Sequence, residues 1–155
     1  MNISVIIPCH NEENNITEIT NRINAVINKI DLDLEKIIFI DDGSTDNSWK
    51  EIVSLNNKYK NKILGIKFSR NFGHQNAVMA GLKFSKSDLT LIIDADMQDP
   101  PEVLENMYNE IINSKANCVY GERETRKDSY FKKLTASFFY RFFNKLSSIK
   151  IPLDV

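Results

Sequence analysis

Two hydrophobic periods take turns along the chain. Ser4-Val5-Ile6-Ile7 is a short β-branched run stopped by Pro8, followed by the polar Cys9-His10-Asn11-Glu12-Glu13. Ile16, Ile19, Ile23, Val26, Ile27 and Ile30 then recur at the spacing of one helical face. A strand therefore enters a loop and leaves it as an amphipathic helix. Lys36-Ile37-Ile38-Phe39-Ile40 repeats the pattern, with Asp41-Asp42-Gly43-Ser44-Thr45-Asp46 as its loop. The helix that follows carries Trp49, Ile52, Val53 and Leu55, with Asp46 or Ser44 available to cap it. A third strand is predicted from Ile63 to Phe68, then the loop Ser69 to Gln75, then a small-residue helix with Ala77, Val78, Ala80, Gly81, Leu82 and Phe84. Leu89 to Ile93 gives a fourth strand, and Pro100-Pro101-Glu102 opens a helix through Val103, Leu104, Met107, Ile111 and Ile112. Asn117 to Gly121 is the fifth predicted strand.

Strands that alternate with helices pair in parallel through right-handed crossovers. The fold class expected is α/β, a doubly wound, mostly parallel sheet with helices on both faces. Its consequence is geometric. The loops Pro8 to Glu12, Asp41 to Asp46, Ser69 to Gln75 and Asp94 to Asp99 all fall along one edge of the sheet, where such folds bind ligands. At 155 residues the chain is the size of one ordinary domain. The division expected is a core over 1–121 and a distinct segment over 122–155, where Arg and Lys are interleaved with Phe and Tyr.

The most specific chemistry is Asp94-Ala95-Asp96, two carboxylates one residue apart at the carboxyl end of a buried strand. Hard oxygen ligands in that place suit Mg²⁺ or Mn²⁺ carrying a diphosphate, because such ions bind through one or two carboxylates plus substrate phosphates. Neither Gly-x-Gly-x-x-Gly nor Gly-x-x-x-x-Gly-Lys-[Ser/Thr] occurs, which argues against a dinucleotide dehydrogenase and a P-loop hydrolase. Asp41 and Asp42 would repel a bare phosphate but accept hydrogen bonds from a base or a ribose. Together these loops describe a site for a nucleoside-diphosphate donor.

Net charge is −1, so no global nucleic-acid footprint exists. Cys9 and Cys118 sit in or beside strand-like runs and read as buried thiols; no metal-ligand spacing links them to His10 or His74. No basic segment followed by a long apolar stretch opens the chain, and no window reaches the length of a membrane span.

Four segments in order resemble glycosyltransferase family 2: Ile6-Ile7-Pro8-Cys9-His10-Asn11-Glu12-Glu13, Asp41-Asp42-Gly43-Ser44-Thr45-Asp46, Ser69-Arg70-Asn71-Phe72-Gly73-His74-Gln75-Asn76-Ala77 and Asp94-Ala95-Asp96-Met97-Gln98-Asp99-Pro100-Pro101-Glu102. The nearest branch is that of the bacterial polyprenyl-phosphate glucosyltransferases and dolichol-phosphate mannose synthase. The resemblance implies a GT-A fold and an inverting transfer of a hexose from a nucleotide sugar, of UDP-glucose type, to a polyprenyl phosphate. It implies that Pro8, His10, Glu12, Asp42, Asp94 and Gln98 serve the donor; Arg70, either a surface cation or, beside a diphosphate, a bidentate hydrogen-bond donor, joins them on its own chemistry. Asp94, Asp96 and Gln98 would surround the metal and diphosphate. Asp96 and Arg123 are the catalytic assignments, and Arg123, Arg126 and Lys127 would meet the acceptor phosphate. His10 stands where the family usually has Tyr. His74 is expected to pack or to hydrogen-bond rather than to act as a base.

Phe131, Leu134, Phe138, Phe142, Leu146 and Ile149 recur at helical intervals, so residues 130–150 read as an amphipathic helix that partly packs on the sheet as core and partly lies in a membrane interface, its aromatic face also suited to a homo-oligomer contact. The parent enzyme is expected in the cytoplasm at the inner face of the cell membrane, with the chain as its N-terminal part. Two alternatives stand beside transfer to a lipid: a family 2 enzyme acting on a glycan hydroxyl in cell-surface polysaccharide synthesis, and a donor-binding fragment without turnover.

Overall fold

The computed structural model describes residues 1–30 and 32–121. Two compact units are distinguished, Met1–Lys115 and Ala116–Val155. The first is a β/α alternation: β1 (Asn2–Cys9), α1 (Ile16–Ile27), β2 (Asp33–Asp41), α2 (Ser48–Lys58), β3 (Ile63–Lys67), α3 (His74–Phe84), β4 (Leu89–Ile92) and α4 (Val103–Ser114). All strand pairs are parallel, in the order β3-β2-β1-β4.

Period-two alternation sorts the strands onto two faces. Ile3, Val5, Ile7, Cys9, Ile37 and Phe39 join the larger cluster, where α1 contributes Ile16, Ile19 and Ile23, α2 contributes Ile52 and Leu55, and α4 contributes Leu104. Ile6, Ile38 and Ile40 face the other way and meet Ala77 of α3. Helices thus cover both faces. Each fully buried isoleucine adds roughly 1.5–3 kcal/mol of transfer free energy. Helix α3 approaches the sheet closely because Gly81 has no side chain: a Cβ there would lie 2.5 Å from Ile6 Cγ2 and 2.9 Å from Ile40 Cδ1.

The order of the strands places a switch point between β1 and β4. The chain first builds outward from β1 through β2 to β3, then returns to lay β4 on the opposite side. Pro8 marks where the two neighbours part. Ile6 faces β4, its carbonyl accepting the Ile93 N–H at 3.1 Å, and alternation turns the Pro8 nitrogen the same way. Proline has no N–H to give, so the β1–β4 ladder stops at the Ile6–Ile92 pair while β1 runs on beside β2 to the Cys9–Asp41 pair. A crevice opens above β4.

Two expectations are corrected. Residues 117–121 form no strand: Cys118 and Tyr120 are exposed, so the run lacks the buried face that would hold a strand in register. Cys118 is accordingly not a buried thiol, whereas Cys9 is. Helix α4 begins at Val103, with Pro100 and Pro101 just ahead of it. Arg123, Arg126, Lys127 and the predicted helix over 130–150 lie outside the described residues. Among the described residues no helix is long and apolar enough to cross a membrane.

Candidate active site

The crevice holds a cleft of about 250 Å³ lined by residues from all four loops at the carboxyl edge of the sheet. Pro8, His10 and Glu12 come from the β1 loop, Asp42 from the β2 loop, Gly73 and His74 from the β3 loop, and Asp94 and Asp96 from the β4 loop. The structure brings Pro8, His10, Glu12, Asp42, Asp94 and Asp96 together as neighbours in one place. Arg70 and Gln98 are not part of the lining. The Arg70 guanidinium instead stacks over the Phe72 ring at 4.8 Å, and Phe72 meets Phe68 edge to face at 5.5 Å. Gln98 gives its backbone N–H to Asp96 Oδ1 at 3.0 Å, a turn that holds Met97 at φ 62°.

Asp42 is the node of the site. Its side chain is buried, and its carboxylate receives the N–H groups of Phe72 at 2.7 Å and Gly73 at 2.9 Å. Its own N–H goes to the Cys9 carbonyl, and its carbonyl accepts from His10 Nδ1 at 2.9 Å. A carbonyl only accepts, so Nδ1 carries the proton and Nε2 is left to accept from Asn11 Nδ2 at 3.3 Å. The imidazole is thereby held at the cleft wall. Gly43 follows at φ 71°, and a Cβ there would collide with the backbone of Arg70 and Asn71. Only glycine lets the second and third loops lie this close.

The first and second loops are laced together as well. Asn11, at φ 59°, takes the Thr45 N–H on Oδ1 at 2.8 Å and gives its own N–H to Ser44 Oγ at 3.0 Å. The Glu12 N–H reaches Ser48 Oγ at 2.8 Å, and the Glu13 N–H reaches Asp46 Oδ2 at 3.1 Å. Asp46 also accepts the Ser48 N–H and hydroxyl on Oδ1. Burial would raise its pKa, but these hydrogen bonds outweigh burial and hold it below the ordinary carboxylate range. The N-cap position of α2 is Asn47, which makes no side-chain cap bond, so neither Asp46 nor Ser44 is the cap; Asp46, one residue ahead of it, binds the first helical residue Ser48 instead. Asp41 is fully buried, with Oδ1 on the Ser44 N–H and Oδ2 3.8 Å from Lys67 Nζ.

Electrostatics set the chemistry. Glu12, Asp42, Asp94 and Asp96 line the cleft, and among the described residues no Lys or Arg does. A bare diphosphate would be repelled there. Two carboxylates from one short loop, with substrate oxygens to complete the shell, are a donor set that fits Mg²⁺ or Mn²⁺. No cluster of three or more His, Cys, Asp or Glu side chains converges to hold a metal among the described residues. The same negative surroundings act on Cys9: burial, then Asp41, Glu12, Asp46 and Asp42, push its thiol up to about 12.

Sequence reasoning left His74 outside the site, yet it lines the cleft with its Nδ1 3.5 Å from Asp94 Oδ1. Gly73 was missed too. The signal lay in its position just ahead of a helix within a motif loop; it sits at φ 93° and its N–H is bound by Asp42.

Comparison with known proteins follows the same lines. The chain is 36% identical over 135 residues to the undecaprenyl-phosphate 4-deoxy-4-formamido-L-arabinose transferase of Aeromonas hydrophila, covering 87% of this chain and 40% of that protein. It spans less than half the length of the curated relatives it matches. Among solved structures, S. aureus TarS 1-349 in complex with UDP-GlcNAc superposes with a TM-score of 0.58 at 24% identity, covering 83% of this chain and 39% of that one. Glucosyl-3-phosphoglycerate synthase from Mycobacterium tuberculosis, in complex with Mn²⁺, UDP and glucosyl-3-phosphoglycerate, gives 0.53 at 21% identity over 72% of this chain and 40% of that one. Both share its fold, the GT-A arrangement. The family model described as Glycosyl transferase family 2 matches residues 4–154, and the chain belongs to that family.

Proposed function

We propose that this chain carries the donor site of an inverting hexosyltransferase that uses a nucleotide sugar of UDP-glucose type and a polyprenyl phosphate acceptor. The observation that carries the reading is the acidic cleft at the β1/β4 switch point, lined by Asp42, Asp94 and Asp96 with His10 fixed at its wall. The Aeromonas relative, named for transfer involving undecaprenyl phosphate, supports the acceptor class, and the UDP complexes of the two structural neighbours support the donor class.

In this reading Pro8, His10, Glu12 and Asp42 hold the nucleoside, with the imidazole offering a face to the base. Asp94 and Asp96, assisted by Gln98, would hold Mg²⁺ or Mn²⁺, which would neutralise charge on the departing diphosphate. Asp96 and Arg123 are assigned to the reacting centre, Arg70 to the donor, and Arg123, Arg126 and Lys127 to the acceptor phosphate. A phosphate monoester with a second pKa near about 6 is already mostly an oxyanion at neutral pH, so the acceptor needs positioning cations more than a base. Residues 1–121 are assigned to the donor, and the basic aromatic segment 122–155 to the acceptor and the membrane interface at the inner side of the cell membrane.

Calorimetric titration with UDP and with GDP, each with and without Mn²⁺, tests the donor half. Metal-dependent UDP binding that disappears in Asp94→Ala and Asp96→Ala is expected. GDP binding alone would redirect the base, and no binding to either would overturn the donor site. Labelled product from undecaprenyl phosphate is expected with the full-length enzyme; product on a glycan hydroxyl instead would replace the acceptor assignment.

A further inference from the structure

We infer that His74 is a positioning residue for Asp94, acting through that carboxylate to set the metal affinity of the site; the inference rests on the donor-site reading above. The two side chains come from different loops and face each other across the cleft. His74 is the first residue of α3 and Asp94 follows β4, yet Nδ1 and Oδ1 are 3.5 Å apart. Neither is buried, with side-chain exposures of 52% and 48%, so the contact is no product of core packing. As an exposed ion pair it would contribute little to stability. Its effect is on direction.

The place of His74 is prescribed by its neighbours. Gly73 adopts φ 93°, which side-chain-bearing residues rarely adopt, and its N–H is bound to the buried Asp42 carboxylate. The first turn of α3 therefore starts from a fixed point, and the imidazole starts with it. The other carboxylate of the pair is restrained in its own way, Asp96 Oδ1 accepting the Gln98 N–H. Each aspartate thus has one oxygen close to a nitrogen of the protein: Asp96 accepts the Gln98 N–H within its loop, and Asp94 stands 3.5 Å from His74 Nδ1. A metal-binding carboxylate steadied by an outer donor loses less freedom on binding, and removing such donors typically lowers metal affinity.

Titration of the 155-residue chain with UDP, with and without Mn²⁺, separates the possibilities. For His74→Ala the gain in UDP affinity conferred by Mn²⁺ is expected to fall about tenfold, with the metal-free affinity unchanged. His74→Asn, whose amide nitrogen falls near the place of imidazole Nδ1, is expected to restore most of the gain, and His74→Gln is not. An undiminished Mn²⁺ gain in His74→Ala, or an equal loss in the Asn and Ala variants, would overturn the inference. Equal losses with and without Mn²⁺ would also overturn it, since His74 would then serve the nucleotide or the fold. A wild-type chain whose UDP binding ignores Mn²⁺ would remove the donor-site reading itself, and the inference with it.

Discussion

Asp42 and Gly73 lie 31 positions apart, and a 2.9 Å hydrogen bond from the Gly73 N–H to Asp42 Oδ2 makes them one structural unit. The neighbouring Phe72 N–H fills Oδ1 of the same carboxylate. One side chain therefore holds the loop that delivers His74, while the Asp42 carbonyl holds His10.

Replacing that carboxylate should loosen the wall of the cleft that the third loop forms. Asp42→Ala leaves two N–H groups without their acceptor, a loss of about 1–3 kcal/mol for each group that stays buried. Asp42→Asn keeps one acceptor oxygen but turns an amide N–H₂ toward a donor. Urea denaturation should show both variants destabilised. Hydrogen exchange should quicken at Phe72 and Gly73 before it quickens in β1. Unchanged exchange there would deny Asp42 its structural part.

Gly43→Ala tests the closeness of the second and third loops. The added Cβ meets the Arg70 and Asn71 backbone, which is no flexible chain end, and the residue must also keep φ 71°. A cost of about 1–3 kcal/mol is expected from the strained backbone alone. The variant should unfold at lower urea and bind UDP more weakly. A variant as stable as wild type would mean that the loops separate without cost.

Cys9 gives the chain an alkaline signature. Its thiol is held at about 12 in the folded state against 9.0 for the unperturbed group. The unfolded chain therefore releases this proton first as pH rises. The sign follows: above about pH 9 unfolding is favoured, with a slope approaching roughly 1.4 kcal/mol per pH unit until the folded thiol also ionises. Stability measured from pH 8 to 11 should fall less in Cys9→Ala than in wild type, once the shared titration of Lys and Tyr is subtracted. Alkylation at pH 8 should mark Cys118 in the folded chain and reach Cys9 only on unfolding.

Much of this was legible in the residues, for reasons that differ by element. Strands β1 and β2 are read from β-branched runs because both faces are buried, and α1 from isoleucines on one stripe. The four loops converge because parallel topology leaves them no other edge. Residues 117–121 were misread because apolar content alone cannot say whether a ladder partner exists. Arg70 was assigned from its charge, and the stacking of its planar guanidinium on Phe72 is a contact that spacing along the chain does not record. His74 stayed outside the site because its meeting with Asp94 depends on how α3 crosses the sheet, and spacing along the chain carries no record of that.

The parting of β1 from β4 at Pro8 has a bearing on how this site can change. The gap between those strands originates in a missing backbone donor rather than in the bulk of any side chain. Drift among the rim residues can therefore retune which ligand is welcomed while the mouth stays open. The entrance and the selectivity are inherited from separate layers of the molecule, and only the second is free to vary.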